Sequence, residues 1–313
     1  MTKVAFIFPG QGAQFVGMGR EFYETSDAAK NIFAAAENII PGLSDVILNG
    51  PQEKLTLTAF CQPGIFTVSV ACLKAFEGHP KFKNISLQYV AGLSLGEYSA
   101  LAASGALSFE ETLRLVERRS FFMEEATKIK KGSMAAIIGF DQEKLIEICR
   151  QTGAEVANFN TPEQIVITGD ALKVEHASAL IKEKGAKRVI PLDVSGAFHS
   201  SLMQSAAVKF EGELTKIKFD LAKIPIVSNV DGKPATNPQI IRYNLAKQIT
   251  SSVQWVDSIR TIVSSGVANF IEIGPGNVLK GLIRKINPEL NVQNIARPED
   301  IEKFEMVNRR YPM

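Results

Sequence analysis

Three observations predict an α/β fold with a mainly parallel sheet. Short β-rich runs alternate with amphipathic helical patterns along the chain. Four runs read as core strands, Val4 to Phe8, Tyr89 to Leu93, Ile226 to Asn229 and Phe270 to Ile273. Each ends in turn chemistry: Pro9-Gly10-Gln11-Gly12, Ser94-Leu95-Gly96, Asp231-Gly232 and Gly274-Pro275-Gly276.

Between residues 132 and 194 the rhythm changes. Strand Met134 to Ile138 is followed by helix Glu143 to Gln151, strands Val156 to Asn158 and Gln164 to Thr168, helix Val174 to Lys184 and strand Arg188 to Leu192. That βαββαβ order is the ferredoxin-like unit. The chain is therefore expected to divide into a large domain, residues 1–128 and 197–313, and a small inserted subdomain, residues 129–196. It returns to the large domain through a helical stretch from Ser200 to about Lys216. The basic, Pro-ended tail from Asn308 to Met313 is expected to fray.

Bulk properties exclude several classes. With 313 residues, 45% hydrophobic and 22% charged, the chain can bury a large core and is neither disordered nor fibrous. A net charge of +2 points away from a nucleic-acid partner. No apolar run approaches the roughly 18 residues of a membrane span, and the start, Met1-Thr2-Lys3-Val4-Ala5-Phe6, reads as a strand rather than a leader. Cys61, Cys72 and Cys149 show no metal spacing and are expected to be buried, reduced thiols. A cytoplasmic, soluble monomer without metal or cofactor is the expectation.

In open parallel sheets ligands bind at the carboxyl ends of the strands, so the four turns are where chemistry is sought. Gly92-Leu93-Ser94-Leu95-Gly96 matches G-x-S-x-G, with an apolar strand before it and a helix-compatible stretch after it. In that context the large domain is expected to be α/β-hydrolase-like, with Ser94 raised as a nucleophile on a sharp strand-to-helix turn. The competing reading is an ordinary βα turn.

A serine nucleophile needs a base, and the sequence holds three histidines. His79 lies in a turn-like segment and His176 among charged residues of a helix, so both read as solvated. His199 stands where the small subdomain rejoins the large one and would face a cleft between them. It is the preferred base, against a locally bonded helix-start histidine.

Winding Phe109 to Ala126 as a helix at about 100° per residue puts Thr112, Leu115, Val116, Phe122, Met123 and Ala126 within about 60° of Arg119. Glu110, Glu117 and Glu124 fall on the opposite face, and Arg118 looks solvated. An arginine inside an apolar stripe is costly unless its planar fork meets an anion, and a carboxylate fits that fork. The alternative is an arginine snorkelling at the stripe's edge. The loop Pro9 to Gln14 lacks the ending of a phosphate-binding loop, but its glycines leave backbone N–H groups open to an oxyanion.

These segments closely resemble the malonyl-CoA:acyl-carrier-protein transacylases and the related acyltransferase domains of fatty-acid and polyketide synthases. The matching pieces run in family order almost from end to end. They are Phe8 to Gly12, Gln62-Pro63, Gly92 to Ala100, Arg119 with Met123 to Ala126, Gly132 to Ala136, Asn158 to Pro162, Gly196 to Ser200, Ser228 to Gly232, Gln254-Trp255 and Glu272 to Gly276. The resemblance implies Ser94 as nucleophile and His199 as general base. It implies the N–H groups of Gln11 and Leu95 as oxyanion hole, and Arg119 as the clamp on the malonyl carboxylate. It also implies the main-chain carbonyl of Gln248 as the group orienting the histidine. Gln62 and Asn160 are implied as supporting residues, and Phe198 as a ring that restricts space around the malonyl α-carbon.

The substrates so implied are malonyl-CoA and a phosphopantetheinylated acyl carrier protein, small and acidic. Because the phosphopantetheine arm must reach Ser94, the carrier is expected to dock near the subdomain cleft, with Lys187 and Arg188 as contacts. One departure is Leu93, where the family commonly has histidine; it argues against an essential role for that histidine. The rival readings are a serine thioesterase or hydrolase and a catalytically idle carrier-binding scaffold.

Overall fold

The computed structural model describes residues 1–305, so the tail expected to fray lies outside the described residues. The strands are β1 (Thr2–Phe8), β2 (Ile85–Gly92), β3 (Gly132–Ile138), β4 (Glu155–Thr161), β5 (Gln164–Asp170), β6 (Arg188–Pro191), β7 (Ile226–Val227), β8 (Pro234–Ala235), β9 (Asn269–Ile273) and β10 (Asn291–Ile295). The run Val4-Ala5-Phe6-Ile7-Phe8 is buried at every position, which suits a central parallel strand covered on both faces. β1 pairs in parallel with β2 on one side and β9 on the other. The large sheet has the order β10-β9-β1-β2-β7-β8, and only β8 runs antiparallel, to β7.

The edge strands β8 and β10 escape a sequence reading for physical reasons. β8 is two residues long and begins with proline, whereas β10, Asn-Val-Gln-Asn-Ile, carries three amides and is only partly buried. The four expected core strands all form, with ends shifted by no more than four residues.

The small sheet has the order β4-β5-β3-β6 and is antiparallel throughout. Helices Gln142–Thr152 and Ala171–Glu183 complete the expected βαββαβ sequence. A separate core of Ala135, Ile137, Leu145, Ile165, Ile167 and Ile181 holds it together. It is joined to the large sheet's side of the molecule by a short parallel bridge, Phe159 N–H to Val253 O at 2.9 Å and Val253 N–H to Ala157 O at 2.8 Å.

The helix Thr58–Glu77 departs from the expectation that no apolar run is long enough for a membrane. By length and composition it qualifies, and 78% of its apolar window is buried inside the protein. It packs against helices Asp27–Ile39 and Phe109–Ile129 and is buried on nearly all sides, with Gln62 and Pro63 in its second turn. A helix apolar all round is what the interior of a large α/β domain requires. The helix Phe109–Ile129 begins at a capping box, with Ser108 and Glu111 exchanging side-chain and backbone bonds, which satisfies two otherwise open N–H groups. All three cysteines are free and buried, and burial pushes the Cys61 thiol up to about 12.

Candidate active site

The carboxyl ends of β1 and β2 meet at Ser94. β2 stops at Gly92 and the helix Gly96–Ala103 starts two residues after the serine, so the chain reverses over very few atoms. A Cβ on Gly92 would lie 1.9 Å from the Gly96 carbonyl carbon, and one on Gly96 would lie 2.0 Å from the Phe8 oxygen. Neither site can hold a side chain. Gly96→Ala is expected to cost about 3 kcal/mol or more in denaturant unfolding. Gly212→Ala, where nothing lies within 4 Å of the added methyl, should be neutral or stabilising by up to about 1 kcal/mol.

Ser94 has φ 52° and His199 φ 57°, and they are the non-glycine residues with positive φ among those described. Left-handed backbone costs an L-residue about 1 to 2 kcal/mol, so each must be held by its surroundings. Asn229 holds the first: its Oδ1 accepts the Ser94 N–H at 2.6 Å and its Nδ2 donates to the Gly92 carbonyl at 2.7 Å. The second is held by its own ring. His199 Nδ1 donates to the carbonyls of Gln248 at 2.9 Å and Ser251 at 3.2 Å.

Two carbonyls can only accept, so they place the imidazole proton on Nδ1 and leave Nε2 as an acceptor. Nε2 lies 2.7 Å from Ser94 Oγ, and the serine hydroxyl therefore donates to it. Burial, with the nearby Arg119 charge adding to it, holds the His199 pKa down to about 4. The ring is neutral at physiological pH and ready to accept a proton.

Arg119 is fully buried, as the stripe on its helix requires, and is not an edge residue. Its Nη1 donates to Gln62 Oε1 at 2.6 Å; its Nη2 donates to Gln248 Oε1 and Ser94 Oγ, both at 3.1 Å. The Tyr98 ring lies 5.2 Å from the guanidinium, and Nε has no partner. Among the described residues no carboxylate bonds it, and burial lowers its pKa. A buried guanidinium with neutral acceptors and a spare N–H is a receptor for an anion placed beside the serine.

The groups open into a cleft of about 650 Å³ between the two sheets. Gln11, Leu95, Gln62, Asn160 and Phe198 line it together with Ser94, Arg119 and His199. The amides of Gln11 and Leu95 donate to no acceptor among the described residues. Asn160 Oδ1 is buried without a partner, and Phe198 is 6% exposed. His79 and His176 lie elsewhere: His79 Nδ1 caps the turn at Lys81, and His176 sits exposed on its helix. A hydroxyl bonded to a neutral imidazole beside a buried cation can attack an acyl group that carries a negative charge.

The sequence matches the acyl transferase domain over residues 5–300. This chain belongs to the acyl transferase family. It is 46% identical over 308 residues to the malonyl CoA-acyl carrier protein transacylase of Bacillus subtilis (strain 168), with 96% of each chain covered. Its structure is similar to the acyl-carrier-protein-S-malonyltransferase of Bartonella henselae, at TM-score 0.92 and 40% identity, covering 97% of this chain and 98% of that one. A solved malonyl-transacylase in complex with its type II PKS acyl-carrier protein is similar at TM-score 0.92 and 35% identity, covering 96% and 98%.

The acyl transferase site also contains residues that the sequence did not single out. Glu97, one turn beyond Ser94, is buried, and its Oε2 accepts from Gln248 Nε2 at 2.6 Å and from the Asn229 N–H at 3.2 Å. The Gln248 side chain also donates to the Ser94 carbonyl at 3.0 Å, beyond the main-chain role expected of it. The Ser251 carbonyl is a second support for His199. Glu97 and Asn229 both stand inside matching segments, but nothing in their local sequence marks an inward carboxylate or a two-sided amide clamp.

Lys187 and Arg188 stand away from the cleft lining of the acyl transferase. Arg188 pairs with Ile138 at one end of β3, whereas Met134, toward the other end, lines the cleft. Four residues of strand separate them by about 13 Å. Lys187 faces Glu163 at 3.9 Å, and the cleft lining carries Lys128 beside Arg119. The spacing of a basic run could not reveal which end of the strand would face the cleft.

Proposed function

We propose that this acyl transferase moves a malonyl group from malonyl-CoA to the phosphopantetheine thiol of an acyl carrier protein, through an ester on Ser94. The observation that carries the reading is the buried Arg119 guanidinium, 3.1 Å from Ser94 Oγ and lacking any carboxylate of its own. An acyl group bearing a free carboxylate would supply the missing anion while presenting its thioester carbonyl to the serine. The named malonyl transacylases similar to this chain support the same substrate.

In the first half-reaction Arg119 pairs with the malonyl carboxylate, and Ser94 Oγ attacks the thioester carbonyl as its proton passes to His199 Nε2. The amides of Gln11 and Leu95 hold the oxyanion, each contributing about 3 to 4 kcal/mol by analogy with other serine enzymes. The C–S bond breaks and coenzyme A leaves as a thiol with the proton from His199. The carrier's thiol then gives its proton to His199, attacks the acyl-serine, and returns the hydroxyl to Ser94, so the kinetics are ping-pong. A bound malonyl carboxylate offsets the Arg119 charge that depresses His199, which makes the imidazole a stronger base once substrate is present.

Gln62 holds Arg119 in register, Asn160 offers its unpartnered Oδ1 to the substrate, and the Phe198 ring limits substituents at the malonyl α-carbon. No cofactor takes part. The α/β-hydrolase-like and ferredoxin-like descriptions, and the division into residues 1–128 with 197–313 and 129–196, belong to this proposal, as do a monomeric state and a cytoplasmic location. The carrier would belong to fatty-acid or polyketide synthesis and dock at the cleft mouth.

Carrier dependence tests the reading. Transfer to phosphopantetheinylated carrier should outrun release of free malonate, measured without carrier, by at least about 100-fold. Equal rates would assign the site to a hydrolase.

A further inference from the structure

Glu97 is a buried titratable group that the transfer chemistry does not use. It is 3% exposed, yet two donors converge on its carboxylate: Gln248 Nε2 and the Asn229 N–H. Gln248 links it to Arg119. The same amide that donates to Glu97 through Nε2 accepts from Arg119 Nη2 through Oε1. Carboxylate, amide and guanidinium thus form one continuous chain beneath Ser94. Among the described residues Glu97 is the carboxylate joined to Arg119 in this way.

A malonyl carboxylate arriving at Arg119 changes the electrostatic balance. One guanidinium would then face two carboxylates in a region from which water is excluded, and a buried like charge raises the cost of ionisation. The group that can relieve this is the one without a direct bond to the guanidinium. We propose that Glu97 is the proton-linked counter-ion of the site, ionised while Arg119 has no substrate carboxylate to meet and protonated when malonyl occupies it. The inference rests on the malonyl reading above.

The intrinsic setting of Glu97 makes the switch accessible. Burial raises its pKa to about 7, against the opposing pull of Gln248, Asn229 and Arg119. At pH 8 the free site therefore holds an ionised Glu97, and weakening the Arg119 attraction raises its pKa further. The other groups facing it do not titrate there. Tyr98 is pushed up by burial and stays neutral, Arg119 keeps its charge, and His199 starts from about 4. A proton taken up at pH 8 on malonyl binding is then the Glu97 proton. Protonated, Glu97 still accepts through Oε2, so the supports of Ser94 and Gln248 stay in place.

The role makes malonyl affinity depend on pH. Each pH unit above about 7 should weaken malonyl-CoA binding by a factor approaching about ten until the bound-state pKa is passed. Acetyl-CoA, without a second carboxylate, should show no such dependence.

The test uses the full chain carrying Ser94→Ala, which binds donor without turnover. Calorimetric titrations with malonyl-CoA at pH 8, in phosphate and in Tris, give the number of protons taken up from the difference in heats. Uptake of about half a proton or more with malonyl-CoA, none with acetyl-CoA, and none with malonyl-CoA after adding Glu97→Gln is the expected result. Uptake that persists with Glu97→Gln would assign the proton to His199 and overturn the proposal. So would malonyl binding with no uptake at all. If the double variant does not fold, the malonyl and acetyl titrations of the Ser94→Ala chain still decide between uptake and none. Absence of any malonyl-CoA binding to that chain would instead count against the malonyl reading itself.

Discussion

Ser94→Ala is expected to abolish covalent labelling of the chain by radioactive malonyl-CoA and to reduce transfer by about 10⁵-fold or more. The hydroxyl is the atom that would carry the malonyl group, and among the described residues it is the one hydrogen-bonded to His199 Nε2, at 2.7 Å. The buried cysteines offer no substitute, since burial raises the thiol pKa of each one. The alanine variant keeps the cleft, the Arg119 cation and the two open amides, so it should still bind malonyl-CoA. Loss of transfer with retained binding is the pattern that separates a nucleophile from a structural serine. Persistent label on the variant, found by mass spectrometry of the chain, would end the acyl-serine mechanism.

Arg119→Ala should reverse the preference between donors. Removing one partner of a buried, hydrogen-bonded charge pair costs about 2 to 5 kcal/mol, equivalent to a loss of about 30- to 5000-fold in malonyl transfer. Acetyl-CoA has no carboxylate to lose, so the change removes no bond to that donor. Acetyl transfer should therefore be spared or improved, and kcat/KM for the two donors measured side by side is the readout. The comparison cancels the damage that any arginine deletion would cause at Gln62 and Gln248, whose Oε1 atoms lose their donor in both assays. Equal losses for malonyl and acetyl would make Arg119 a structural residue.

These expectations draw on features of unequal visibility in the sequence. Ser94 was legible because its turn has a local cause: two glycines at spacing four, a strand before and a helix after. Arg119 was legible because a helix repeats every 3.6 residues, so one cation within an apolar stripe is visible without any partner being known. His199 emerged from a choice among three, aided by its place at the return from the insert. Of Lys187 and Arg188 the sequence states charge and not direction, because a cluster of cations has no facing of its own.

Asn229 and Glu97 show what local sequence cannot carry. The Asn229 amide supports Ser94 from 135 residues away, and the glutamate's main bond reaches Gln248 across 151. Neither contact leaves a periodicity or spacing. The order of the elements, the strand-to-helix turn at Ser94 and the inward arginine were determined by the sequence, because each follows from interactions among near neighbours along the chain. The meeting of serine, imidazole and guanidinium in one cleft, the left-handed backbone of Ser94 and His199, and the burial of Glu97 beside them were decided by tertiary structure. Those depend on which distant surfaces pack together, and only packing fixes how much water, and therefore how much charge, each group can keep.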